Sequence, residues 1–332
     1  PAHFALFGYD PVTFNVGRGL LGAAGLDFAM AEADLYIRAN FATMDKNGRI
    51  TDRRAGRIPT EKNQELCALL QKKVALPSGR QAFFVTEKEH RALVALRGAN
   101  LCEEIAETDP QKTGLPALNP AALSSRAEQT SADITDLIKQ VNKTLAGEEK
   151  ANTLLLRGYA CYSRFPSFAE RYGLNPLAIA SYPMYRGIAH LLGMKVATLT
   201  NTIEEEIAVL RDNFNAYNFF FVHIKYTDSR GEDGKFAEKV KVIEKVDALL
   251  PEIYGLNPDV LIITGDHSTP AVMAGHSWHP VPVLLAAKTC RPDLSANFGE
   301  RACITGGLGR LPMKNLMAVA LAHAGKLQKF GA

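Results

Sequence analysis

Asp266, His267 and His276 stand at the end of one apolar run, in Gly265-Asp266-His267-Ser268-Thr269-Pro270 and His276-Ser277-Trp278-His279. A carboxylate beside imidazoles, with no thiol, suits manganese, zinc or a similar divalent ion. The preceding run, Asp259 to Thr264, is short, continuous and rich in β-branched residues, as expected for an interior strand of a parallel sheet. Ligands in open α/β sheets collect beyond the carboxyl ends of the strands, which is where the Gly-Asp-His turn falls. In the alternative reading Asp266 caps a turn and His267 is an ordinary polar neighbour, because titratable clusters at strand ends are only probabilistic pointers to function.

A second acidic segment follows another apolar run. Tyr217 to Lys225 reads as a strand and leads into Thr227-Asp228-Ser229-Arg230-Gly231-Glu232-Asp233-Gly234, ahead of a helical stretch from Lys235 to about Leu250. Asp228 and Glu232, four apart, can converge on one ion, while Gly231 and Gly234 argue for a loop between them rather than a regular helix. In the alternative, the acids simply favour the positive end of the next helix. Lys225, at the strand's carboxyl end, is a candidate phosphate contact. Elsewhere, Asp52-Arg53-Arg54-Ala55-Gly56-Arg57 concentrates guanidinium groups, and Arg157 and Arg186 each precede a glycine where backbone can approach a ligand. Arginine suits planar, bidentate contact with carboxylate and phosphate. The competing reading is a solvated charged face.

The elements that must position these groups alternate. Strands are expected at Leu177–Ser181, Lys195–Leu199, Tyr217–Ile224, Val260–Thr264 and Val281–Ala286, and helices at Glu204–Asn213, Phe236–Leu250 and Met313–Leu327. That alternation predicts a parallel sheet with crossover helices. The middle third differs. Ala82–Thr86 and Arg91–Leu96 read as paired strands around Glu87–His90, a polar stretch follows near Asp109 to Ala132, and a helix is expected from Ile134 to Leu145.

With 332 residues, two structural units are the prior. A net charge of +3 is too small to argue for nucleic acid or a membrane surface. No apolar run approaches the length of a bilayer span. The five cysteines are dispersed and form no CxxC pair, which fits free thiols in a reduced, cytoplasmic setting.

Taken together, the two loops resemble the alkaline phosphatase superfamily, and specifically its archaeal-type cofactor-independent phosphoglycerate mutases. The other pieces that carry the resemblance are Leu6-Phe7-Gly8-Tyr9-Asp10-Pro11, Gly17-Arg18-Gly19, Arg38 to Thr43, Asp52 to Ile58, His90-Arg91, Leu156-Arg157-Gly158, Tyr185-Arg186-Gly187 and Lys225-Tyr226-Thr227-Asp228. The resemblance implies an α/β fold: an alkaline-phosphatase-like parallel sheet with helices on both faces, interrupted by a smaller α+β domain. Residues 1–40 and 160–332 would form the metal-binding domain, and residues 41–159 the inserted, substrate-holding one.

It also implies roles. One ion would be held by Asp228, Glu232 and His276, and a second by Asp266 and His267. Many relatives carry His where this chain has Glu232. Manganese is favoured, with magnesium, zinc or cobalt as alternatives, and 2,3-bisphosphoglycerate is not needed. Arg53, Arg57 and Arg157 would hold phosphoglycerate, joined by Arg38, His90, Arg91, Arg186 and Lys225. His279 would neighbour the site as a gate, and His3 and His223 would be structural. The activity implied is the interconversion of 3-phosphoglycerate and 2-phosphoglycerate, in glycolysis and gluconeogenesis, through a phosphoserine. The family's nucleophilic serine lies in a Pro-Gly-Ser element just upstream of the segment that begins here at Pro1. The chain as numbered is therefore expected to be a fragment without that activity and without the first strand of its sheet. Two other readings stay open: a metal-dependent phosphatase or phosphodiesterase on the same scaffold, or a non-catalytic metal-binding remnant.

Overall fold

The structure, a computed structural model, describes residues 2–14, 17–26, 28–162 and 164–327. Pro1 lies outside them. The chain divides into two compact units, residues 1–15 with 166–332, and residues 16–165. The expected boundaries near 41 and 160 differ because each would cut a strand. The first unit opens with α1 (Ala2–Leu6), and the chain then leaves it for the inserted unit.

The inserted unit consists of α2 (Arg18–Gly25), β1 (Leu35–Met44), β2 (Ile50–Asp52), α3 (Thr60–Lys73), β3 (Gln81–Lys88), β4 (Arg91–Arg97), α4 (Glu128–Thr144) and β5 (Thr153–Cys161). Its sheet is antiparallel, with β1 flanked by β4 and β5, β3 beyond β4, and β2 on the end of β1. Alternation along β1 explains its two faces. Leu35, Ile37, Ala39 and Phe41 enter a core with Leu66 and Leu70 of α3 and Ile134, Leu137 and Val141 of α4. The last three recur at helical spacing, which is why α4 forms and packs there. Tyr36, Arg38 and Asn40 take the opposite face. α2 lies close against the backbone there: a Cβ on Gly17 would come within 2.5 Å of Ala160 Cβ, and one on Gly19 would overlap the Tyr36 carbonyl oxygen and sit 2.8 Å from Gly158 O. The Gly17-x-Gly19 motif thus serves close helix-on-sheet packing.

The first unit resumes with α5 (Phe168–Tyr172), β6 (Pro176–Ala180), α6 (Pro183–Leu191), β7 (Lys195–Val196), α7 (Ile203–Asn213), β8 (Phe219–His223), α8 (Tyr226–Glu232), α9 (Phe236–Gly255), β9 (Val260–Thr264), β10 (Val283–Ala287), α10 (Glu300–Cys303) and α11 (Leu316–His323). β6, β7 and β8 form a parallel sheet in the order β7-β6-β8, with α6 and α7 as its crossovers. α7 is started by Thr202, whose hydroxyl accepts from Glu205 N.

Three expectations change. β10 pairs antiparallel with β9, so the parallel arrangement does not extend to it. β7 stops at Val196 rather than Leu199. Residues 226–232 form the helix α8 despite Gly231. A Cβ on Gly231 would overlap the carbonyl oxygen of Thr269, so glycine is set into this helix by close packing, not by a turn. Among the described residues, β8 and β9 each have a strand partner on one side only, and all five residues of β9 are half-buried although Val260, Leu261, Ile262 and Ile263 are apolar.

Candidate functional site

The carboxyl ends of β8 and β9 converge. Beyond β8, the chain turns through Lys225 into α8, where Asp228 and Glu232 share one face by their i,i+4 spacing. Beyond β9 lie Asp266 and His267. His276 follows a short loop that folds back by pairing Ser277 with Ser268. His276 Nε2 lies 3.6 Å from Asp228 Oδ1 and 3.4 Å from Glu232 Oε1. His267 lies between two carboxylates, its Nδ1 3.8 Å from Asp228 Oδ1 and its Nε2 3.2 Å from Asp266 Oδ2. The His267 and His276 rings are 4.0 Å apart. Ligand atoms of Asp228, His267 and His276 all lie within 4.8 Å of one another. His267 thus faces both Asp228 and Asp266, the residue with which it is expected to hold a second ion.

The electrostatics suit a cation. Burial works to raise the pKa of Asp228, but hydrogen bonds from Lys225 and Thr269, and then the charges of Lys225 and His267, hold it below the ordinary carboxylate value. Lys225 pairs with Asp228 and lies 5.4 Å over the Tyr182 ring. It sets a cation beside the carboxylates of the cluster. The side chains of His276 and Glu232 are 53% and 49% exposed, so the cluster is open to solvent on that side. Three carboxylates and two imidazoles arranged in this way fit a hard or borderline divalent ion.

Sequence reasoning missed two supports. Thr269, buried, donates its hydroxyl to Asp228 Oδ1 at 2.6 Å and lies 3.0 Å from His267 Nδ1. Lys239 of α9 donates to the Thr269 carbonyl at 2.7 Å. Thr269 lies two residues beyond His267, after Ser268, and a hydroxyl so near a ligand motif was the available signal. His279 is exposed, stacked on Trp278 at 5.0 Å, with Nδ1 2.9 Å from Ser277 Oγ.

In the inserted unit the predicted arginines separate into groups. Arg53 makes two contacts to Asp109, Nε to Oδ1 at 2.8 Å and Nη2 to Oδ2 at 2.7 Å, and Arg157 Nη1 reaches the same Oδ2 at 3.2 Å. The Asp109 side chain is fully buried, so these two guanidiniums neutralise it. Arg38 faces Arg157 across β1 and β5, and Asn40 faces Arg91 across β1 and β4, which places Arg38, Arg91 and Arg157 on the sheet face opposite the core. His90 is buried at the turn between β3 and β4. Burial lowers its pKa, and the charges of Arg91, Arg54 and Arg57 add to this against an opposing contribution from Glu89, so three guanidiniums neighbour the ring. Arg57 is exposed and closes a run, Ala55 to Arg57, in which every φ lies between 48° and 61°. Asp52 shapes that run by accepting from Arg54 N and Gly56 N. Left-handed backbone at a non-glycine residue is costly and concentrates where function requires it. Arg186 is in the first unit, where its Nη1 donates to Ala180 O and Ala197 O and ties the ends of two strands together.

Comparison with known proteins finds relatives of one kind. Residues 1–151 match the family described as 2,3-bisphosphoglycerate-independent phosphoglycerate mutase. A probable enzyme of that name from Thermus thermophilus is 48% identical over all of this chain and 82% of its own length, and one from Thermotoga maritima is 46% identical with the same coverage. A cofactor-independent phosphoglycerate mutase from Thermoplasma acidophilum superposes with a TM-score of 0.77 at 26% identity, over 97% of this chain and 85% of its own. A protein of Pyrococcus horikoshii gives 0.81 at 26% identity, over 100% and 84%. The fold is accordingly α/β of the alkaline-phosphatase-like kind. With identity this high along its whole length, and an acid and histidine cluster at the strand ends, the chain belongs to the 2,3-bisphosphoglycerate-independent phosphoglycerate mutase family.

Proposed function

We propose that this chain carries the metal site and the anion-binding arginines for interconversion of 3-phosphoglycerate and 2-phosphoglycerate, a step of glycolysis and gluconeogenesis, without 2,3-bisphosphoglycerate. The observation that carries the reading is the meeting of Asp228, His267 and His276, joined by Glu232 and Asp266. Two divalent ions, manganese by preference, would be held by these five residues. When bound, such ions stabilise phosphoryl charge and lower the pKa of an attacking hydroxyl. The attacking hydroxyl that the family resemblance implies is a serine's, and the route a phosphoserine.

The chain's own residues then have separable tasks. Lys225 pairs with Asp228 and offers a cation to a phosphate oxygen. Arg57, Arg91 and Arg38, with His90, offer donors to carboxylate and phosphate, and Arg53 and Arg157 border them through Asp109. Holding the dephosphorylated glycerate is what separates a mutase from a phosphatase, since release before phosphate returns would be hydrolysis. A cytoplasmic location agrees with five free cysteines. No helix among the described residues is long and apolar enough to cross a membrane.

The test has two arms. Calorimetric titration with Mn²⁺ should show uptake that Asp228→Asn and Asp266→Asn each reduce. With the chain preceded by the Pro-Gly-Ser element, 3-phosphoglycerate should yield 2-phosphoglycerate in the presence of Mn²⁺. Net release of inorganic phosphate instead would mark a phosphatase, and absence of Mn²⁺ uptake would remove the metal reading.

A further inference from the structure

His3, expected to be structural, reaches the candidate metal cluster from α1. Its side chain is 5% exposed, and its Nδ1 lies 3.3 Å from Asp266 Oδ2, the same oxygen that His267 Nε2 approaches at 3.2 Å. The ring is fixed from other sides. It stacks on Tyr185 of α6 with centroids 4.2 Å apart and planes 30° apart, lies 5.3 Å from the His223 ring, and meets Phe7 and Phe221 edge-on at 6.4 and 5.7 Å. Its Nε2 is buried without a hydrogen-bond partner.

These contacts leave the imidazole one polar task. Its two nitrogens have unlike surroundings: Nδ1 faces the Asp266 carboxylate, while Nε2 is buried against aromatic rings and meets no acceptor. An N–H at Nε2 would be a buried donor with nothing to bind, at a cost of about 1–3 kcal/mol, whereas an N–H at Nδ1 faces a carboxylate. The tautomer is therefore Nδ1–H. Stacking on Tyr185 alone would be served by phenylalanine. Only Asp266 requires the nitrogen.

We propose that His3 is a positioning residue for Asp266: it donates Nδ1–H to Oδ2 and fixes the carboxylate so that its remaining lone pairs are presented to a divalent ion. Groups that hydrogen-bond a metal ligand in this way set its orientation and basicity. The inference rests on Asp266 being a metal ligand, as proposed above.

The experiment is calorimetric titration of Mn²⁺ into the full chain and its variants, with melting temperature recorded for each. His3→Phe keeps the stack and removes the donor, and should weaken Mn²⁺ binding about 10–100-fold, as loss of such a partner typically does. His3→Asn places an amide N–H where Nδ1 stood and should recover most of the affinity, while His3→Gln places it where Nε2 stood and should not. In an Asp266→Asn background, His3→Phe should cause no further loss. Wild-type affinity in His3→Phe, or an equal loss with and without Asp266, overturns the inference while leaving the metal reading intact. If His3→Phe folds poorly, the contrast between Asn and Gln at matched melting temperature decides, and equal affinities overturn it. Failure of the wild-type chain to take up Mn²⁺ overturns both readings.

Discussion

Thr269 Oγ1 donates a 2.6 Å hydrogen bond to Asp228 Oδ1, so the loop after β9 supports a candidate ligand on α8. The same residue's carbonyl receives Lys239 and is the atom against which Gly231 packs. One threonine therefore sets both the depth of α8 and the orientation of its acid. Thr269→Val keeps the shape and removes the donor. It should cost about 1–3 kcal/mol in chemical denaturation, the range for a buried hydrogen bond to a charged group. Mn²⁺ affinity should fall in the same variant, and Thr269→Ser should restore it. A Val variant with unchanged stability and affinity would mean that the hydroxyl supports nothing.

Two glycines of α2 make opposite predictions. Gly19 has no room for a Cβ, which would overlap the Tyr36 carbonyl oxygen, while a Cβ on Gly22 would meet nothing within 4 Å. Gly22→Ala should stabilise by up to about 1 kcal/mol through helix propensity. Gly19→Ala should destabilise by about 1–3 kcal/mol, because the helix must lift off β1. Urea unfolding of both variants reads the difference, and equal shifts would contradict the close packing of α2.

The arginine triplet is not one functional unit. Arg53 neutralises buried Asp109, whereas Arg57 is exposed in its left-handed run. Arg53→Ala should cost about 1–3 kcal/mol, since among the described residues Asp109 is left with Arg157 and the Gln111 amide. Arg57→Ala should change stability by no more than about 0.5 kcal/mol, the range for an exposed side chain. Its effect should appear instead as loss of phosphoglycerate turnover in the serine-bearing chain. Denaturation and turnover measured on both variants separate the two roles, and loss of stability with Arg57→Ala would place it among the structural ion pairs.

The site was legible wherever chemistry follows the chain locally. Asp228, Asp266 and His267 each sit close beyond the end of an apolar run, and the parallel-sheet rule carries them to the same edge, with Glu232 one helical turn further on and His276 at the end of a short loop. The helical state of Tyr226–Glu232 was not legible, because the requirement for Gly231 comes from Thr269, a residue on a different segment. The direction of β10 was hidden for another reason: Val-Leu-Leu-Ala-Ala reads the same in either orientation. The available signal was the connection from Thr264 to Val283, which holds only the short 3-10 turn Ala271–Met273 and no crossover helix. His3 carried no signal at all, since its partner Asp266 lies far along the chain and only folding brings them together.

Glu206 gives a pH dependence of definite sign. It is 1% exposed on α7, and its Oε2 has no hydrogen-bond partner. Burial raises its pKa from 4.5 to about 7, against a smaller opposing contribution from Ser181. Below pH 4.5 the carboxyl is protonated in both folded and unfolded chains, and no stability is lost through it. As pH rises from there to about 7, the unfolded chain releases a proton that the folded chain retains, so stability declines, and the loss levels off above that range. Glu206→Gln preserves the shape and cannot ionise. Its stability relative to the wild type should therefore increase from pH 5 to about pH 7 in urea unfolding and level off above that, while the contributions of other groups cancel. Parallel stability curves for the two proteins across that interval would show that Glu206 ionises in the folded state as readily as in the unfolded one, and would remove the case for a buried, protonated carboxyl beneath the end of β6.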